Sequence, residues 1–202
     1  MSALPYPPAW AELLVTLFAP ARRQDSVVGD LLEEYREAQL PRYGKAAADR
    51  WFGRHALGFL WRVAMPWAMA LALEFAAQDV IDAVIPATSN FHFRSALSGG
   101  TLALATYASA GLVTGWRCGR IVAGTAVALF MTALATALSV IEALTLSALF
   151  SAGVFQWAAT VGRLREALDL PLFGMLLMGV PLSCLAAAIG KAARYVPRAG
   201  VR

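Results

Sequence analysis

Residues 121–150 read IVAGTAVALFMTALATALSVIEALTLSALF, thirty positions whose sole charge is Glu142. A bilayer's hydrocarbon core of about 30 Å is crossed by roughly 20 apolar residues at 1.5 Å each, so this run is more than long enough. A helix apolar on every side over such a length has no place at a water-facing surface. The stretch therefore predicts a membrane span over about 121–145, either tilted or with its last turns emerging.

Further stretches on both sides have the same character. Ser95–Trp116 is free of charge and rich in small residues. Residues 171–189 end at the basic tail Lys191, Arg194, Arg198 and Arg202. Residues 56–77 place Arg62 near one end and Glu74 near the other, where each side chain can snorkel toward water. With 59% of residues hydrophobic and 15% charged, the chain carries far less charge than the quarter or so usual in globular proteins. The expected fold is an all-α integral membrane four-helix bundle (residues 56–190) preceded by a small cytoplasmic helical cap (1–55) and followed by the basic tail (191–202). A polar connector, Pro86–Arg94, is expected between the first two spans. In 151–169, a short surface helix is expected over Val161–Leu168, with Phe155 and Trp157 at the interface.

The leading third has a different composition. Met1–Arg62 holds eight of the 17 Lys+Arg and seven of the 13 Asp+Glu. It has no basic leader before an apolar run, and Glu12 interrupts its start, so it reads as part of the mature chain and not as a secretory signal. Pro7 and Pro8 can open a helix to Phe18, with Trp10, Leu13, Leu14, Leu17 and Phe18 at helical spacing, and Ala19-Pro20 ends it. Asp25 or Ser26 is expected to cap a second helix, VVGDLLEEYREA at 27–38. Its stripe Val27, Val28, Leu31, Leu32 and Tyr35 needs a partner, for which the first helix is available, while Asp30, Glu33, Glu34 and Glu37 occupy the other side. Pro41 and Gly44 break the pattern. A third helix from Lys45 should run into the first span without a loop. Along it Trp51, Phe52, Phe59, Trp61 and Trp67 interleave with Arg50, Arg54, His55 and Arg62, the mixture expected at a headgroup interface.

Charge sets the orientation. With four spans, 14 of the 17 Lys+Arg fall on the side of both termini, and Arg94, Arg163 and Arg165 on the other. The positive-inside rule then places the termini in the cytoplasm of a bacterial inner membrane. The net charge of +4 is a topology signal on this reading, with no nucleic-acid partner implied. In lipid the hydrophobic effect does not drive helices together, so small residues matter. Gly111 and Gly115 form a GxxxG pair, Gly124 and Ala128 repeat its spacing, and so do Gly179 with Ser183 and Ala186 with Gly190.

Candidate chemistry is sparse. A carboxylate in a bilayer often marks an ion path, which singles out Glu74 and Glu142; both could instead reach water at the ends of over-long spans. His55 and His92 lie at opposite ends and could not share a haem. Cys118 and Cys184 have no metal-ligand spacing, and no P-loop, GxSxG, HExxH or CxxC motif is present, so neither a catalytic site nor a cofactor is expected.

Pro7-Pro8, Trp10-Ala11-Glu12, GDLLEEY at 29–35, Gly44, Ala48 and WFGR at 51–54 together resemble the permease prefix domain. That domain precedes the first membrane helix of acidobacterial-type orphan permeases, relatives of the macrolide-exporter permeases. The resemblance covers residues 7–62, with Gly53 standing where a second aromatic is expected. It implies a docking or regulatory cap. Such permeases also carry a large extracytoplasmic domain after the first span, where this chain has only Pro86–Arg94. Asp30, Leu31, Glu33, Glu34, Tyr35, Trp51 and Arg54 are the expected partner-binding residues. The expected function is that of a non-enzymatic accessory or structural subunit of a larger inner-membrane complex, in contact with membrane lipids and other integral membrane subunits. The alternative is a small permease using Glu74 or Glu142.

Overall fold

The computed structural model describes residues 6–84, 89–149 and 176–195, and within them the side chains of 6–77, 99–141, 144–145 and 176–195. Among the described residues every regular element is a helix. In chain order these are α1 (Ala9–Phe18), α2 (Gln24–Glu34), a π-helical turn (Tyr35–Gln39), α3 (Leu40–Tyr43), α4 (Lys45–Val84), α5 (Ser89–Cys118), α6 (Ile121–Leu149) and α7 (Val180–Arg194).

Among the described residues, α4, α5, α6 and α7 form the bundle. Stretches within α4, α6 and the helix ending at Arg194 are long and apolar enough to cross a membrane: Lys45–Ala77, Ile121–Ile141 and Leu176–Arg194. The remaining helix, α5, spans 30 residues and is richer in Gly and Ser. It lies against α4, α6 and α7, with Ala103, Tyr107, Ala110, Gly111, Thr114 and Gly115 buried there. The core combines Ala64, Ala68 and Leu71 of α4 with Ala103, Tyr107 and Ala110 of α5 and Val127, Ala128 and Met131 of α6. Large apolar residues point outward, among them Leu73, Leu102, Leu129, Leu177 and Ile189. Water would penalise that arrangement and lipid accepts it.

The cap is α1, α2, the π-turn and α3, folded against the first part of α4. At 40 residues α4 measures about 60 Å, twice what the hydrocarbon core needs, so one rod serves both regions. It continues through Pro66, which leaves the Arg62 carbonyl without its usual amide partner.

Several local expectations are corrected. Neither Asp25 nor Ser26 caps α2: the helix already begins at Gln24 after a turn in which the Arg23 amide bonds the Pro20 carbonyl at 2.9 Å. Ser26 Oγ instead donates to Asp30 Oδ2 at 3.4 Å. Pro41 does not stop the helix, because the π-turn just before it loosens the bonding pattern; the break comes at Gly44, whose φ of +75° favours glycine. The connector over Pro86–Arg94 is shorter than expected, since α5 has begun by Ser89. On α1 the buried face is Ala11, Val15 and Phe18, while Trp10 and Leu13 are exposed. Residues 151–169 and the tail residues Arg198 and Arg202 lie outside the described residues, as do the side chains of His92, Arg94 and Glu142.

Candidate functional site

The cap is organised around Tyr35. Its ring is fully buried, meeting Phe52 edge to face at 5.8 Å and 86°. Ala11 and Val15 of α1, Ala48 and Ala56 of α4 and the stripe Val27, Val28, Leu31 and Leu32 complete the cluster. A buried phenol needs a partner, and Tyr35 donates to Asp49 Oδ1 at 2.6 Å. Asp49 also pairs with Lys45 at 3.2 Å, one turn earlier on α4. Burial, together with the carboxylate that accepts its proton and repels its anion, pushes the Tyr35 phenol up from 10.0 to about 12. Beside it the Arg36 guanidinium lies 4.8 Å from the centre of the Tyr6 ring.

This geometry divides the expected partner-binding residues. Tyr35 points into the cap and is not on the surface. Trp51 is half-buried, its ring tilted by 43° against that of His55 at 4.3 Å, and Leu31 is half-buried in the same core. Asp30, Glu33, Glu34 and Arg54 are exposed, as is Glu37. Among the described residues no cation pairs with those four carboxylates. Asp30, Leu31 and Arg54 converge on one groove between α2 and α4. Gly53 is explained by Trp10: a Cβ there would lie 2.9 Å from the indole ring, so the ring packs on bare helix backbone.

Cap and bundle meet at one end. The Ala21 amide bonds the Arg117 carbonyl at 3.2 Å, and Arg120 donates to the Thr16 carbonyl. Gly119, with φ +69°, turns α5 into α6 in two residues, close to Ala21 and to the Arg194 guanidinium. The cap, the α5–α6 turn and the end of α7 therefore share one end of the bundle, bringing Arg117, Arg120 and Arg194 together with it.

The small residues singled out in the sequence meet in the bundle interior. A Cβ on Gly111 would collide with the Ser183 backbone, and one on Gly115 with the Ala187 backbone. A Cβ on Gly124 would come within 2.5 Å of Ala187 Cβ, and Ser183 Oγ donates to the Gly124 carbonyl at 3.2 Å, so α5, α6 and α7 join at one node. Gly190, whose pairing with Ala186 repeats the same spacing, closes the same seam against the Leu112 carbonyl. Gly179 receives the Tyr107 ring, whose hydroxyl is 2.6 Å from Thr132 Oγ1.

Glu74 does not snorkel. The Thr106 hydroxyl of α5 bonds its carboxylate, while its other oxygen, Oε1, is buried without a partner. The groove and Glu74 are separate sites on α4: Arg62, the groove residue nearest in sequence, precedes Glu74 by twelve positions. Among the described residues no three His, Cys, Asp or Glu side chains come together as a metal site. Compared with protein-family models, curated proteins and solved structures, the chain matches none.

Proposed function

We propose that the chain is a non-enzymatic inner-membrane subunit that docks a basic partner surface onto the acidic side of its cap, with cap and C-terminal end in the cytoplasm. One observation carries this reading: the small-residue faces that could grip a neighbour in the bilayer are consumed among α5, α6 and α7, whereas Asp30, Glu33, Glu34 and Glu37 stand exposed with no cationic partner among the described residues. Because α4 is continuous from cap to bundle, a partner held by α2 is held rigidly to the membrane. The cytoplasmic placement rests on the lysines and arginines gathered at the cap end. We read residues 7–62 as a prefix-type cap, which favours a partner from transport machinery.

The test is charge reversal. In mild detergent the wild-type chain is expected to purify in a stoichiometric complex. Replacing Glu33, Glu34 and Glu37 by Lys is expected to release that partner while the bundle stays folded. A wild-type chain that runs as a monodisperse lone subunit, or a reversed one that keeps its partner, overturns the reading.

A second reading, a small permease, is favoured by the unpartnered Oε1 of Glu74. Carboxylates inside bilayers often belong to proton or ion paths. Glu74→Gln should then abolish flux in reconstituted vesicles, and a flux that persists unchanged removes this reading.

A further inference from the structure

At the level where the cap meets the bundle, an open groove of about 350 Å³ runs between α2 and α4. Its floor is Val27 and Leu31 of α2 and Phe59 of α4; Arg54 and Arg62 stand on one wall and Asp30 on the other. Phe59 packs against both the cap core and the bundle core, which fixes the groove at their junction. Both arginines are exposed, and among the described residues no carboxylate pairs with either. His55 lines the same wall, its Nδ1–H donating to the Trp51 carbonyl at 3.0 Å.

Gly58 lies between the two arginines on α4 and keeps the groove open: a Cβ there would meet nothing within 4 Å. A glycine inside a helix is destabilising relative to alanine. At Gly111, Gly115, Gly124 and Gly190 a close-packed neighbour offsets that cost. At Gly58 nothing in the chain does. Gly29 and Gly100 also face open space, but neither lines the groove.

We propose that this groove holds one anionic phospholipid of the membrane that α4 enters. The phosphodiester sits between Arg54 and Arg62, an acyl chain follows Val27, Leu31 and Phe59, and the headgroup hydroxyls face Asp30. Guanidinium groups pair well with phosphate oxygens. Basic pockets beside membrane helices suit anionic headgroups, and a head carrying its own cation gains less from two arginines. Lipid is favoured over a protein segment because the exposed Leu57 and Trp61 begin the outward apolar face at this same level of α4.

The full-length chain in neutral detergent can be offered phosphatidylglycerol and phosphatidylcholine with matched acyl chains, and retained lipid counted by native mass spectrometry. One phosphatidylglycerol per chain is expected to be held in preference to phosphatidylcholine. Arg54→Gln and Arg62→Gln should each weaken its retention about tenfold, the usual size of a charge-assisted contact. Gly58→Leu keeps every charge, favours the helix and fills the groove, so retention should vanish with helical content and melting temperature undiminished. Equal retention of the two lipids, an Arg54→Gln/Arg62→Gln double variant that binds like wild type, or a Gly58→Leu chain that keeps its lipid overturns the proposal. So does a Gly58→Leu chain that loses a protein partner while retaining lipid. Charge reversal at Glu33, Glu34 and Glu37 leaves the groove untouched, so failure of the docking reading and failure of this one are distinguishable.

Discussion

The cap and the bundle share one helix, α4, yet they pack by different rules. In the cap, large side chains go in: Tyr35, Phe52 and Val15 are fully buried, and carboxylates face out. In the bundle, alanines at 64, 68, 103, 110, 123 and 128 line much of the interior around a few large residues, Leu71, Tyr107 and Met131, while Leu73, Leu129 and Leu177 go out. Water rewards burial of apolar area by about 25 cal/mol per Å², so the cap gains by hiding its bulk. Lipid is as apolar as leucine, so the bundle gains only from close approach and interhelical hydrogen bonds, which small residues permit. The change of rule occurs near Phe59, which belongs to both cores.

The most damaging single change to the cap should be Phe52→Ala. Loss of a buried ring with its cavity costs about 3–5 kcal/mol, enough to unfold a small cap resting on one helix. Limited proteolysis is expected to cut α1 to α3 rapidly while α5, α6 and α7 remain protected. Leu73→Ala, on the lipid-facing side of the same helix, should change little. If the bundle melts together with the cap, the two regions are one cooperative unit and the contrast fails.

Next in size is Gly115→Ala. One methyl added against backbone that cannot swing aside should cost about 1–3 kcal/mol, read as a lower melting temperature in detergent. The cap, probed by proteolysis, should be unaffected.

Tyr35→Phe tests how the cap tolerates a buried polar group. Removing a hydroxyl that donates to a carboxylate should cost about 1–2 kcal/mol, softened because Asp49 keeps Lys45. The pH dependence has a definite sign. A phenol raised from 10.0 to about 12 on folding contributes stability in full below pH 10, and that contribution is lost as pH rises toward 12. Wild-type cap protection should therefore fall across this window, and Tyr35→Phe should remove that part of the fall. Protection that is flat in the wild type up to pH 12 would contradict the buried hydrogen bond.

What could be read in the sequence follows the same division. Uniform apolarity makes residues 121–145 visible as a span, since lipid acts on every side of a helix alike, and the long α4 follows from a helical pattern with no breaker between Lys45 and Pro66. Which side of a helix meets its neighbour was harder to see. Trp10 and Leu13 share the apolar spacing of α1 but face outward, because Ala11 lets α1 sit close to α4 and the Trp10 ring lies on Gly53. Tyr35 reads equally well as a surface aromatic until Asp49, fourteen residues later, supplies its partner. Glu74 turned inward for a similar reason, since Thr106 on a different helix accommodates it. The groove depends on α2 and α4 coming together, and its one local sign is a glycine at 58 with no evident packing duty.

The smallest expected effect sharpens the contrast most directly. Gly53 and Gly115 are both helical, both buried and both closed by a neighbour. At Gly115 the obstacle is the Ala187 backbone; at Gly53 it is the outer edge of the Trp10 ring, 2.9 Å from where a Cβ would stand. Trp10 is 50% exposed and can tilt away, and Ala gains about 0.5–1 kcal/mol over Gly in a helix interior. Gly53→Ala should therefore leave cap stability within about 0.5 kcal/mol of wild type, the strain and the helix gain nearly cancelling. Proteolytic protection of the cap, measured beside the melting temperature of Gly115→Ala, decides the matter. Equal damage from the two substitutions would mean that the cap is packed as tightly against backbone as the bundle, and that the difference in solvent does not explain their architecture.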